Sequence, residues 1–224
     1  MSQCLSAFDY ADLETFGERM PSISCQRCGT CCRKGGPALH LGDLDTLEHI
    51  PVRELVCLRR GEPALDPRTG CLQPLETERI KIRGKGKGWE CVYFQPEDQG
   101  CAIYAHRPLE CRALSCTNNE ALFEAMETPA LSRSNLVCRP SALWDCIKEH
   151  ESRFAVEQAL DLAWNMSGLA IPVAVDLLIR QELSFRRRLA HEVQAGDEDL
   201  WAYLGRPLWM ILVPVNPFFA RYGS

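Results

Sequence analysis

The chain has 224 residues, 46% of them hydrophobic and 25% charged, with a net charge of −5. That length allows one large domain or two small ones, and the balance is that of an ordinary globular protein with no global pull toward nucleic acid or an anionic membrane. The outlier is cysteine, present thirteen times.

Residues 1–22 read as a lead-in with one short helix at 10–18 and an incidental Cys4. They carry no basic stretch followed by an apolar run, so no signal peptide is expected. CQRCGTCC follows at 25–32, then RKGGP, a loop by composition. In LHLGDLDTLEHI, Asp43 suits an N-cap, with Leu44, Leu47 and Ile50 as the apolar side of a short helix. Pro51 suits the first turn of a second helix to about Arg60, with Cys57 in its core pattern. Residues 61–70 are turn-rich. ERIKIRGKGKGWECVYF reads as a hairpin: Ile80 and Ile82 alternate with charged residues and GKGKG forms the loop. QPEDQG is a further turn, CAIYA a short strand, and a helix should start at Pro108. Beyond Asn118 helical periodicity takes over, at 119–127, 141–165, 172–195 and 197–204. In the third of these Leu178, Phe185, Leu189 and Val193 form a core-facing stripe. No stretch reaches the roughly 18 apolar residues of a membrane span. Leu208 to Phe219 comes nearest, but Pro214 and Pro217 interrupt it, and it reads as a buried tail. The expected fold class is α+β: a cysteine-rich half at 23–117 with short strands, followed by a helical half at 118–224.

Cys25, Cys28 and Cys31 have the spacing C-x2-C-x2-C, that of the first three ligands in bacterial ferredoxins. One such loop wraps a metal centre while its amides point at sulfur. Gly29 sits where a backbone bending round sulfur needs positive φ. Cys32 follows at once, where a ferredoxin would have three spacer residues. Side chains of neighbours in an extended or turn segment diverge, so the Cys31–Cys32 pair points to a polynuclear site. Cys91, Cys101, Cys111 and Cys116 arrive on short downstream elements and bring the set to eight thiolates, enough for two four-coordinate centres. Arg27, Arg33, Arg107 and Arg112 lie close in sequence to offset that charge. Such clustering belongs to metal binding in a reducing, cytoplasmic setting rather than to disulfides. The triplet and the adjacent pair favour iron, as a [4Fe–4S] cluster, over Zn or Fe ions held singly.

SCQRCGTCC, then WECVYF, then CAIYAHRPLECR at Cys101–Arg112 together resemble the cysteine-cluster family described as a zinc- or iron-chelating domain and often called the YkgJ family. The resemblance covers about 23–117, and the frequent aromatic before the first cysteine is missing. It implies an eight-cysteine metal site: Cys25, Cys28, Cys31, Cys32, Cys91, Cys101 and Cys111, with Cys116 as the eighth or Cys138 in its place. Members are commonly labelled Fe–S oxidoreductases, which implies redox or electron-transfer work with a redox or protein partner. The other implied role is a zinc- or iron-chelating module for structure or metal handling. Flagellin lysine N-methylases are similar in the cysteine blocks, but this chain has no glycine-rich nucleotide loop to serve a methyl donor. Arg107 and Arg112, inside the motif, suit either donors to sulfur or ordinary salt bridges.

The remaining features have plain readings. His40, His49, His106, His150 and His191 show no mutual ligand spacing and read as surface or capped residues. Arg79 to Lys87 reads as a solvated basic hairpin and Arg186 to Arg188 as a solvated helix turn. Trp144, Trp164, Trp201 and Trp209 are core candidates, and Cys138 and Cys146 read as buried small apolar residues. Neither a Ser/His/Asp order nor paired carboxylates can be argued from spacing.

Overall fold

The computed structural model describes residues 25, 27–86, 89–164 and 171–223. The helix expected at 10–18, Cys4 and Lys87 fall outside them. In chain order the elements are α1 (Thr30–Arg33), β1 (Leu55–Leu58), β2 (Pro63–Asp66), β3 (Cys71–Pro74), β4 (Arg79–Ile82), β5 (Gly84–Lys85), β6 (Glu90–Cys91), β7 (Phe94–Gln95) and β8 (Gly100–Cys101). There follow α2 (Leu109–Ala113), α3 (Glu120–Glu127), α4 (Arg133–Leu136), α5 (Ala142–Arg153), α6 (Val156–Trp164), α7 (Val173–Val193), α8 (Trp201–Leu204) and α9 (Leu208–Leu212). The class is α+β, with short antiparallel strand pairs early and helices late.

Two compact units emerge, each made of two segments: Met1–Pro51 with Lys81–Cys138, and Val52–Ile80 with Arg139–Ser224. The sequence suggests one boundary, at 117/118. Instead, 52–80 joins the helical unit and 118–138 the cysteine-bearing one.

In the first unit α1 is a single turn opened by Gly29. Two 3-10 turns, Leu41–Asp43 and Asp45–His49, replace the short helix expected there. Asp43 is therefore not its N-cap. His40 is the cap, and the fully buried Asp43 accepts the His40 N–H at 3.0 Å. β5 pairs antiparallel with β6, Gly84 opposite Cys91, so Gly84 and Lys85, expected in the GKGKG loop, are strand residues. QPEDQG joins β7 to β8, pairing Phe94 with Cys101. The strand expected over CAIYA stops at Cys101, and a 3-10 turn follows at Tyr104–His106.

In the second unit β1 stands where a helix from Pro51 is expected. Leu55, Val56 and Cys57 are all buried, and a run buried on every side has no periodicity to separate strand from helix. The turn-rich stretch becomes the hairpin β2–β3, in register from Pro63↔Pro74 to Asp66↔Cys71. The single helix expected at 141–165 is α5 and α6, broken at Phe154, whose buried ring packs against His150 and Phe185. α7 matches its expectation. Leu178, Phe185 and Leu189 are buried, whereas Val193, in the last turn, is 51% exposed. Trp201 is buried but Trp164, at the end of α6, is 79% exposed. The tail packs as expected through Leu208, Ile211, Leu212 and Phe219.

This core also holds charge. Arg186 is buried rather than solvated: it pairs with Glu182 and donates to the carbonyls of Leu204 and Gly205 at 3.2 and 2.8 Å. Glu182 also accepts from buried His150 at 3.2 Å. Arg59, equally buried, pairs with Glu151 at 3.0 Å. Buried charges persist only when paired in this way. No helix among the described residues is long and apolar enough to cross a membrane.

Candidate metal centre

All eight expected thiols fall in the first unit, and Cys57, Cys71 and Cys146 fall in the second. Gly29 shapes the first four. Its φ of 74° turns the chain into α1, and the Arg33 N–H closes the turn on the Gly29 carbonyl at 2.9 Å. A side chain cannot replace it easily, since a Cβ there would lie 2.7 Å from the Phe94 ring. The Arg27 N–H points at Cys25 sulfur at 3.4 Å, an amide-to-sulfur contact of the kind such loops provide. Cys31 and Cys32 both lie on α1, with sulfurs 4.0 Å apart. This corrects the expectation of divergence: the segment is helical rather than extended. At Zn–S about 2.3 Å, the edge of a tetrahedral thiolate site is about 3.8 Å, so one ion can span this pair.

The later thiols come from short elements of the same unit. α1 packs on β6, which ends in Cys91, β8 ends in Cys101, and α2 carries Cys111. Cys116 follows in the turn after α2, and it and Cys28 bear on each other's titration. Their electrostatics link the whole set. Burial, then the charges of Cys91, Cys101 and Cys31, push the Cys111 thiol well up. Burial likewise raises Cys101, which also feels Cys25 and Cys31, and it raises Cys91, which feels Cys101. Cys116 is raised by desolvation and by Cys28, Cys25 and Cys31. The Cys28 thiol is lowered by its hydrogen bond to Thr30. The adjacent pair splits. Cys31 is lowered to about 6, first by the hydrogen bond from Cys32 and in smaller part by Arg107. Cys32 is raised because it supplies that hydrogen bond. Cys146, by contrast, is raised by burial and by nearby carboxylates.

Four guanidiniums surround this set. Arg107 and Arg27 stack on the Tyr104 ring at 3.9 and 4.5 Å, and Arg33 lies over Phe94 at 4.8 Å while donating to the Cys28 carbonyl. Arg112 donates to the Arg107 carbonyl at 3.0 Å and lies 3.9 Å from Asp43. Arg107 depresses both Cys31 and Cys101, so its charge is directed at sulfur.

Sequence reasoning missed a buried support beneath α2. Asp43 accepts the Leu109 N–H at 2.7 Å and so caps the helix that carries Cys111. Pro108 is that helix's N-cap residue and has no N–H to offer. Glu110, beside Cys111, accepts from the Ala38 N–H at 2.9 Å and meets His40 Nε2 at 3.0 Å. His40 Nδ1 lies 3.0 Å from the Thr128 carbonyl. His40 is thus a buried strut rather than a surface residue. Only the chain topology brings 40, 110 and 128 together, so spacing carried no signal. His49 and His106 stack with ring centroids 3.6 Å apart, which spacing also hid. Cys138, the substitute for Cys116, is disulfide-bonded, an exception to the expected unpaired thiols.

Residues 24–138 match the family model CxxCxxCC, "Putative zinc- or iron-chelating domain". The chain belongs to this family. The match runs past the motif blocks to Cys138, where the first structural unit also ends. No curated protein and no solved structure matched the chain. The family's metals fit the donors present, since thiolates are soft ligands suited to zinc and to iron–sulfur clusters. Among the described residues no group of three or more His, Cys, Asp or Glu is gathered tightly enough to hold an ion. The thiols share one electrostatic neighbourhood, and metal binding would draw them together.

Proposed function

We propose that Cys25, Cys28, Cys31, Cys32, Cys91, Cys101, Cys111 and Cys116 hold an iron–sulfur centre that serves redox or electron-transfer chemistry. The observation that carries this reading is that all eight thiols lie in one structural unit, within the stretch the family's chelating domain matches. Eight thiolates exceed what a mononuclear ion takes. The ferredoxin-like triplet and the Arg107 charge that lowers Cys31 and Cys101 favour a cluster whose potential the protein tunes. Such a centre would supply one-electron transfer to a redox partner. The disulfide at Cys138 favours Cys116 as the eighth ligand.

One observation favours a second reading, a zinc- or iron-holding module of structural or metal-handling role. The Cys31–Cys32 sulfur separation of 4.0 Å is close to a tetrahedral edge. Anaerobic purification, a visible spectrum, and counts of iron, zinc and acid-labile sulfide per chain separate the two. Sulfur-to-iron absorption that bleaches on reduction, with matching iron and sulfide, is the expected result. A colourless protein with stoichiometric zinc would overturn the cluster and leave the module.

A further inference from the structure

Tyr104, in the 3-10 turn Tyr104–His106 of the cysteine-bearing unit, gathers two cations on one ring. The Arg107 guanidinium lies 3.9 Å and the Arg27 guanidinium 4.5 Å from the ring centre. The Arg107 Nε–H also donates to the Tyr104 carbonyl at 3.1 Å, so that side chain is tied to Tyr104 twice. Neither guanidinium has a carboxylate partner among the described residues. Two like charges on one ring repel each other, which opposes the attraction each has for the ring face. Arg27 also bears backbone strain, since its φ of 53° is left-handed. That same turn of the chain aims the Arg27 N–H at the Cys25 sulfur at 3.4 Å. Strain and unneutralised like charge persist where a functional site requires them, and an anion is what would hold this pair together. The thiols are placed to supply it. Arg27 lies between Cys25 and Cys28, and Tyr104 and Arg107 lie between Cys101 and Cys111. The Arg107 charge bears on Cys31 and Cys101, lowering both.

We propose that Tyr104 is a positioning residue of the thiolate centre, its ring clamping Arg27 and Arg107 where their charges offset the metal-bearing thiolates. The proposal rests on the thiolate centre proposed above, but not on which metal fills it. Four thiolates around one Zn²⁺ leave two negative charges, the number that two guanidiniums balance. Arginine suits the task because it is always charged and its planar group stacks on an aromatic face. Arg33 serves as the internal contrast. It lies over the Phe94 ring at 4.8 Å and donates to the Cys28 carbonyl at 3.1 Å, so Tyr104 does not hold it.

The test is the zinc affinity of the full chain, stripped of metal anaerobically and titrated against a competing chromophoric chelator. Tyr104→Leu should weaken zinc binding about tenfold, the scale of a partly screened charge withdrawn from the centre. Tyr104→Phe keeps the ring and should bind as the unmodified chain does. Arg27→Gln should weaken binding about tenfold alone but leave it nearly unchanged in the Tyr104→Leu background, where that charge has already been released. Arg33→Gln should weaken it by the same factor in both backgrounds. An Arg27→Gln loss that is equal in both backgrounds would mean that the ring only packs, and would overturn the clamp. So would a Tyr104→Leu chain that binds zinc as tightly as the unmodified one. Arg27 is exposed, so Arg27→Gln keeps the test decisive should Tyr104→Leu fail to fold: an unchanged affinity there overturns the clamp as well. Absence of zinc binding by the unmodified chain would overturn the thiolate centre itself and the clamp with it, an outcome distinct from failure of the clamp alone.

Discussion

Gly29 shows how one residue sets a metal-binding loop. Its positive φ costs an L-residue about 1–2 kcal/mol, and the Phe94 ring, itself buried, stands 2.7 Å from where a Cβ would sit. Gly29→Ala should therefore lower stability by about 2 kcal/mol or more and reduce bound metal per chain. Pairing it with Phe94→Leu should cost less than the sum of the two single changes, because the smaller side chain relieves the clash. Urea midpoints of the four chains measure this. Strict additivity would show that ring contact is not what demands glycine. Gly29 was legible from sequence, because a C-x-x-C-G loop states both its spacing and its turn. His40 and Asp43 were not, since their partners Thr128, Glu110 and Leu109 lie 66 to 88 positions away.

At the scale of elements, α2 and α5–α7 depend on buried polar groups. Asp43→Ala would strand the Leu109 and His40 N–H groups, at about 1–3 kcal/mol each. Loss of stability and of metal content together is expected, because α2 carries Cys111. An unchanged urea midpoint would show that the cap holds nothing. In the helical unit, burial and then the Arg59 and Arg186 charges outweigh Glu182 and hold His150 down at about 4. The unfolded chain takes up this proton near pH 6.5. Stability from this group is therefore complete above pH 6.5 and is lost as pH falls toward 4, by about 3 kcal/mol in all. In His150→Phe, whose ring would sit beside Phe154 and Phe185, that slope should vanish. The thiols titrate alike in both chains and cancel in the difference. Parallel curves would mean that His150 does not titrate as placed. The long periodic α7 was readable, whereas β1 was not, because a run buried on every side loses its period.

For the whole molecule, the two units differ in what holds them together. The cysteine-bearing unit contains strands of two residues in β5 to β8 and helices of four and five residues in α1 and α2. Elements so short have too few internal hydrogen bonds to stand alone. The helical unit has the 21-residue α7 and an apolar core running from Leu55 to Phe219. Metal binding in a thiolate cage is folding free energy for the domain that closes around it. Anaerobic chelation of the full chain should therefore open the first unit and spare the second. Limited proteolysis reads this directly. Before chelation, cuts between Cys91 and Cys116 should be slow. Afterwards they should be fast, while the fragment bearing α5 to α9 persists. Cuts appearing equally in α7 would mean that the metal supports the helical unit as well. A digestion pattern unmoved by chelation would mean that the first unit folds without metal, and the eight thiols would then need another explanation.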